Sequence, residues 1–180
     1  ETVEDSEVIV TLGLGPDALA MAKSLKWLHL TAAGVEFNMY PEIIESSVTV
    51  TSAKGNAGTP MAEWAMMQIY MWNKQIIRYI QAQASKEWAT GHQQELTGMT
   101  VGIIGLGNSG TDLARKCKSA HMTVLGLRRS GAHCPFVDEM FDRDGLIEFL
   151  TRSDFVCVTA PRTPETQGLL GEAEFSAMKQ

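Results

Sequence analysis

The feature that most constrains this sequence is a short glycine-rich run, Gly105-Leu106-Gly107-Asn108-Ser109-Gly110, placed between two different textures. Ahead of it, Val101-Gly102-Ile103-Ile104 is apolar and β-like; behind it, Ser109 to Ser119 reads as a helix. A strand, a glycine turn and a helix in that order admit few folds. Gly105 permits the tight turn, Gly107 leaves the backbone without a Cβ to obstruct an incoming group, and Gly110 lets helix and strand pack closely. The amides of Asn108 and Ser109 then open the helix, at the positive end of its dipole, where a phosphate is favoured. The spacing therefore predicts a dinucleotide site on Gly105, Gly107, Asn108, Ser109 and Gly110. An incidental glycine-containing turn is the other reading of the same residues.

Elsewhere the chain alternates in the same manner. Val8 to Leu12, Trp27 to Leu30 and Val48 to Thr51 read as short strands, with a helical stretch from Asp17, a potential cap, to Ser24. From Met61 to about Gln83 there is neither Gly nor Pro. Ala62, Ala65, Met66, Ile69, Tyr70, Ile76, Ile77 and Ile80 recur near a 3.6-residue period, which predicts one long helix starting at Pro60 with these residues, methionines included, in the core. Thr90 to Gly98 reads as a polar connection. Beyond it, strands at Val101–Ile104, Met122–Leu127 and Phe155–Thr159 alternate with helices at Ser109–Ser119 and Leu146–Arg152. Apolar β-branched runs separated by helices predict an α/β fold with parallel sheets covered on both faces. The division expected is 1–60 and 61–180, the second part opening with the long helix.

Composition narrows the function classes. The 180 residues carry a net charge of −6 with no cluster of Lys and Arg, so nucleic acid and anionic membrane are excluded as main partners. No apolar run approaches a membrane span, and the acidic start, Glu1 to Asp5, is not that of a secretory signal. The three cysteines, Cys117, Cys134 and Cys157, have no paired or metal-binding spacing, which fits a reducing, cytoplasmic setting; Cys157 reads as a buried small hydrophobe.

The strand after the glycine turn bears on which dinucleotide is bound. A site for NAD places an acidic residue about 20 positions beyond the glycines, on the ribose 2′-hydroxyl. Here Leu127 is followed by Arg128, Arg129 and Ser130, with Arg128 23 residues beyond Gly105. Two guanidiniums and a hydroxyl suit a 2′-phosphate through charge-assisted hydrogen bonds, which favours NADP, with NAD as the alternative. A solvated basic strand end is the competing reading.

Several segments together resemble the D-isomer-specific 2-hydroxyacid dehydrogenases. They are Leu25-Lys26-Trp27-Leu28 through Glu36, Gly58-Thr59-Pro60-Met61-Ala62-Glu63, Leu96 through Gly107, Thr163-Pro164-Glu165-Thr166 through Gly171, and Met178-Lys179. The resemblance implies a flavodoxin-like substrate domain, here partial, followed by the first half of a Rossmann coenzyme domain. It implies hydride transfer between NAD(P)H and a small 2-oxo acid, as in glyoxylate or hydroxypyruvate reduction, by a homodimer. Carried over by motif, the amides of Ala33 and Gly34 would hold the substrate carboxylate. Met61 would lie at the mouth of the cleft, and Pro161, Arg162, Thr163, Pro164 and Glu165 would line the adenosine side of the coenzyme. Two positions depart from the pattern: Ser109 stands where Ile or Val is usual, and Arg162 where Leu is commoner.

The family's catalytic arginine, glutamate and histidine have no match in this sequence, so the chain is expected to be a piece truncated at both ends and inactive alone. With strands near 101, 122 and 155, only half of a dinucleotide-binding sheet is expected. His29, His92, His121 and His133 lack partner carboxylates at a diagnostic spacing and read as structural or surface residues. The acidic group Asp138, Glu139, Asp142 and Asp144 reads as a solvated loop rather than a metal site. A nucleotide-sensing regulatory protein, like the family's corepressor relatives, is the alternative to an enzyme.

Overall fold

The computed structural model describes residues 3–179; Glu1, Thr2 and Gln180 lie outside the described residues. The chain divides into two compact units, Glu1–Ala57 and Gly58–Gln180.

The first unit is a parallel sheet of β1 (Val8–Thr11), β2 (Trp27–Leu30) and β3 (Thr49–Ser52), ordered as in the chain. Helices α1 (Pro16–Met21) and α2 (Pro41–Ile44) each open on a proline, whose fixed φ and missing N–H suit the first turn. The cap of α1 is Gly15; Asp17, expected to cap, instead lies in the first turn and favours the dipole from there. Leu28 and Leu30 of β2 point into a core shared with Leu14, Leu25 and Ile43. The opposite side of β2 carries Trp27 and His29, both hydrogen-bonded to the Thr51 hydroxyl at 2.8 and 2.9 Å.

In the second unit, α3 (Gly58–Asn73) and α4 (Ile76–Ala84) precede β4 (Thr100–Ile104), α5 (Asn108–Ser119) and β5 (Thr123–Leu127). Then come β6 (Glu139–Phe141), α6 (Leu146–Arg152), β7 (Phe155–Val158) and α7 (Glu172–Ala177). The four strands are parallel in the order β6-β5-β4-β7. One face of the sheet is covered by Ala62, Met66 and Ile69 of α3 and Leu113, Ala114 and Cys117 of α5, against Val101, Ile103 and Val124. The other is covered by Leu146, Phe149 and Leu150 of α6, against Ile104, Leu125 and Leu127. This is a doubly wound α/β sheet with β4 at its centre.

Three expectations are corrected. The long helix is two helices, because Gln75 adopts a left-handed conformation (φ 50°) between them. Just before the break, Asn73 is buried and donates to the Gln94 carbonyl at 2.9 Å. No Gly or Pro marks this break, and the apolar period runs straight across it. The period also misplaces the core. Ala62, Met66 and Ile69 are buried, whereas Tyr70, Ile76, Ile77 and Ile80 are exposed, as are Met61 and Met67. Last, the third strand of the first half is not Phe155–Val158 but β6, on the outer side of β5; β7 lies across β4 and begins the second half. β6 is a three-residue edge strand, Glu-Met-Phe, too short and too polar to read as a β run.

Among the acidic residues, Glu139 lies in β6 and pairs with Arg152. Asp138 binds Lys118 at 2.8 Å and accepts from the Val124 N–H at 2.7 Å. Burial opposes its charged form, but those two partners outweigh it and hold the carboxyl below its ordinary pKa. These two residues brace the sheet, so the expected solvated loop holds only for the exposed Asp142 and Asp144.

Cys117 is fully buried, with its thiol 3.4 Å from the Met66 sulfur, and Cys157 is partly buried rather than fully so. Burial, with the nearby Cys157 thiol second, pushes the Cys117 thiol up to about 12; burial alone pushes Cys157 up to about 11. Neither forms the reactive thiolate near neutral pH. At pH 8 the native protein is therefore expected to leave both unlabelled by Ellman's reagent, with all three cysteines titrating in denaturant. Rapid native labelling at either position, located by peptide mass, would contradict this packing.

Candidate coenzyme site

β4 ends at Ile104, and the chain reverses through Gly105 at φ 92°, a region that side chains with a Cβ disfavour. The turn is tied to both neighbouring strands. The Gly105 N–H donates to the Leu127 carbonyl at 2.8 Å, and the Thr159 hydroxyl donates to the Gly105 carbonyl at 2.5 Å. A Cβ on Gly105 would lie 2.5 Å from the Ala160 nitrogen, and one on Gly110 would run into the Gly105 carbonyl and the Thr159 hydroxyl. These two glycines are required by the chain's own packing.

Gly107 is different. It caps α5 in an extended conformation (φ −82°, ψ −156°), and a Cβ added there would meet nothing within 4 Å. Neither backbone strain nor any described neighbour requires glycine here. The open space lies beside the first amides of α5, which helix geometry leaves without intrahelical acceptors and which Gly107, lacking a side chain, cannot cap. Asn108 is exposed and Ser109 half-buried at this helix start. An anionic group fits such a cradle. The turn stands between β4 and β7, where the strand order changes direction, the position at which open α/β sheets bind nucleotides.

The end of β5 lies beside the turn, and its two arginines have separate surroundings. Arg128 is half-buried, and its Nη2 donates to the carbonyls of Ala132 and His133, the latter at 2.9 Å. Its Nε is buried with no described partner. Arg129 and Ser130 are exposed, and Arg129 has no carboxylate within 4 Å among the described residues.

The segment after β7 is shaped by one hydroxyl. Thr166 Oγ1 donates to the Pro161 carbonyl at 2.6 Å and accepts from the Thr163 N–H at 2.8 Å. Pro161, Arg162, Pro164 and Glu165 are exposed along this loop, and Thr163 is half-buried. Arg162 points to no described partner. The Glu165 carboxyl is held below its ordinary range by a hydrogen bond from Thr163, then by its own backbone N–H and by the fields of Arg129 and Arg143. Arg143, two residues past β6, also donates to the Glu165 carbonyl at 3.5 Å. Sequence reading passes over Arg143, because it follows a strand that has no apolar signature.

In the first unit, Ala33 and Gly34 are exposed in the turn that leaves central strand β2, and no described group accepts from either N–H. In the second, Met61 is exposed in the first turn of α3. Of the histidines, His29 binds Thr51, while His92, His121 and His133 are exposed. Among the described residues none has a carboxylate partner, and no group of three His, Cys, Asp or Glu could hold a metal ion.

Comparison with known proteins agrees with this architecture. The chain is 31% identical over 171 residues to D-3-phosphoglycerate dehydrogenase of Archaeoglobus fulgidus, covering 91% of this chain and 31% of that protein. It is 23% identical over 175 residues to glycerate dehydrogenase of Methylorubrum extorquens, covering 91% of this chain and 52% of that one. Among solved structures, it resembles NADPH-dependent glyoxylate/hydroxypyruvate reductase of Sinorhizobium meliloti, in complex with NADP and sulfate. That match has a TM-score of 0.84 and 32% identity, covering 96% of this chain and 54% of that one. The chain thus spans about half or less of the relatives it matches. Residues 66–180 match the family described as D-isomer specific 2-hydroxyacid dehydrogenase, NAD binding domain. With that match over most of its length, built on a glycine turn at the switch point of a doubly wound sheet, the chain belongs to the D-isomer-specific 2-hydroxyacid dehydrogenases.

Proposed function

We propose that this chain forms the coenzyme cradle, and part of the substrate-binding portion, of an NADP-dependent reductase of small 2-oxo acids. The observation that carries this reading is the pairing of the open Gly107 cradle with an arginine-bearing end of β5. The amides at Asn108 and Ser109 hold the pyrophosphate, with Gly105 and Gly110 fixing the turn beneath it. Arg129, with Ser130, holds the adenosine 2′-phosphate, and Arg128 orders the loop beside it through Ala132 and His133. The Pro161–Glu165 segment flanks the adenosine. When bound, a nicotinamide coenzyme supplies or accepts the hydride. In the first unit, the exposed Ala33 and Gly34 amides are free to bind the carboxylate of the oxo acid.

Among the described residues no histidine pairs with a carboxylate, and in this reading the proton-transfer and substrate-clamping groups come from outside them. That same observation also favours a second reading, in which the scaffold senses coenzyme without turnover. The exposed apolar side chains of α3 and α4, including Trp64, Trp72 (81% exposed), Ile77 and Ile80, support a homodimer built on this surface. The cysteines Cys117, Cys134 and Cys157 are all unpaired, which suits a cytoplasmic location. Among the described residues no helix is long and apolar enough to cross a membrane.

Following NADPH absorbance with glyoxylate or hydroxypyruvate separates these readings. The 180-residue chain is expected to bind NADPH saturably, detected by tryptophan fluorescence, without oxidising it. The full-length protein is expected to turn over. Turnover by the chain alone would refute the placement of the catalytic groups, and a full-length protein that binds but does not turn over would favour sensing.

A further inference from the structure

We propose that Arg143 is a second cationic contact for the adenosine 2′-phosphate, beside Arg129, a role assigned by its place in the sheet and not by any sequence motif. The inference rests on the NADP reading above. β5 and β6 run parallel with Leu127 opposite Phe141, and the Arg128 N–H to Phe141 carbonyl bond, 3.2 Å, continues the pairing past the strand end. Arg129 lies two residues beyond Leu127, and Arg143 lies two beyond Phe141. Adjacent strands are about 4.8 Å apart, so the fold sets these two arginines at neighbouring ends of one sheet edge.

Both are exposed, and neither has a carboxylate within 4 Å among the described residues. Among the described residues, no nearby acid forms an ion pair with either. Asp142 turns its carboxylate to the amides of Asp144 and Gly145, at 3.1 and 3.3 Å, and Asp144 is exposed. The fields of both guanidiniums reach the Glu165 carboxyl from beyond 4 Å, so each cation keeps N–H donors free for a ligand. Arg143 also touches the coenzyme-side loop, donating to the Glu165 carbonyl at 3.5 Å. A dianionic phosphate between the ends of β5 and β6 is the ligand that completes such a site. A hydroxyl, as in NAD, offers these guanidiniums no charge to bind.

The test measures binding of NADPH, NADH, adenosine 2′,5′-bisphosphate and 5′-AMP to the protein and to its Arg143→Gln and Arg143→Lys variants. Arg143→Gln is expected to weaken NADPH and the bisphosphate by about ten-fold, with NADH and 5′-AMP changed less than about two-fold. Arg143→Lys, which keeps the charge, is expected to recover most of the loss. Equal weakening of all four ligands would show that Arg143 only holds the Glu165 loop, and no weakening would show that it does not contact the phosphate; either overturns the proposal. If the unsubstituted protein binds NADH as tightly as NADPH, the NADP reading itself fails, and the wild type alone reveals this.

Discussion

Gly107→Ala is expected to leave the protein folded and nearly as stable, yet to weaken NADPH by about a hundred-fold or more. The neighbouring Gly110→Ala should behave in the opposite way. At Gly107 the new methyl enters space that no described atom of the chain occupies, and the backbone there is extended. Its stability cost is limited to a poorer helix cap, about 1 kcal/mol. The same methyl stands where a pyrophosphate would approach the α5 amides, and losing those contacts at about 3 kcal/mol corresponds to the hundred-fold figure. At Gly110 the methyl meets the Gly105 carbonyl and the Thr159 hydroxyl, one of them backbone that cannot swing aside. Overpacking of that kind costs about 3 kcal/mol. Thermal melts with coenzyme titration on both variants check the pair. If Gly107→Ala bound NADPH normally, the cradle would not be where the coenzyme sits.

The second large effect concerns Arg129. Arg129→Asp is expected to reverse coenzyme preference, lowering NADPH affinity by about a hundred-fold while NADH stays level or improves. An exposed guanidinium bonded to phosphate contributes about 1.5–3 kcal/mol, and an aspartate at the same place adds repulsion of a dianion while offering an acceptor to a ribose hydroxyl. Because Arg129 has no ion-pair partner among the described residues, the fold loses little. Arg128 makes the contrast. Its guanidinium holds the Ala132 and His133 carbonyls, so Arg128→Ala is expected to loosen that loop and to weaken both coenzymes together. Titrating both nucleotides into each variant separates specificity from scaffolding. An Arg129→Asp protein that still preferred NADPH would remove the basis for placing the 2′-phosphate at the end of β5.

The glycine turn was legible because Gly105 and Gly110 each have a local packing cause that sequence spacing records. The same is true of β4 and β5, whose buried apolar runs mark central strands, and of α6, which begins and ends where its pattern does. What escaped is equally physical. β6 is three residues at a sheet edge and carries a glutamate that pairs with Arg152, so nothing in its composition separates it from a loop. Without β6, the position of Arg143 beside Arg129 could not be inferred. The break at Gln75 is a left-handed residue with no Gly or Pro to mark it, and the bond from Asn73 to Gln94 beside it is long-range; periodicity registers neither. The roles of Arg128 and Arg129 were read as equivalent because adjacent residues look alike on paper; in the strand end they face different neighbours.

The fastening of Gly105 to Leu127 on one side and Thr159 on the other has a thermodynamic consequence. The turn holds its shape through bonds internal to the chain, so little conformational freedom is left for a ligand to remove on arrival. For the coenzyme proposed to bind there, association would need no preceding rearrangement of the turn, and most of the contact energy at its phosphates would appear as affinity instead of being spent on ordering the loop.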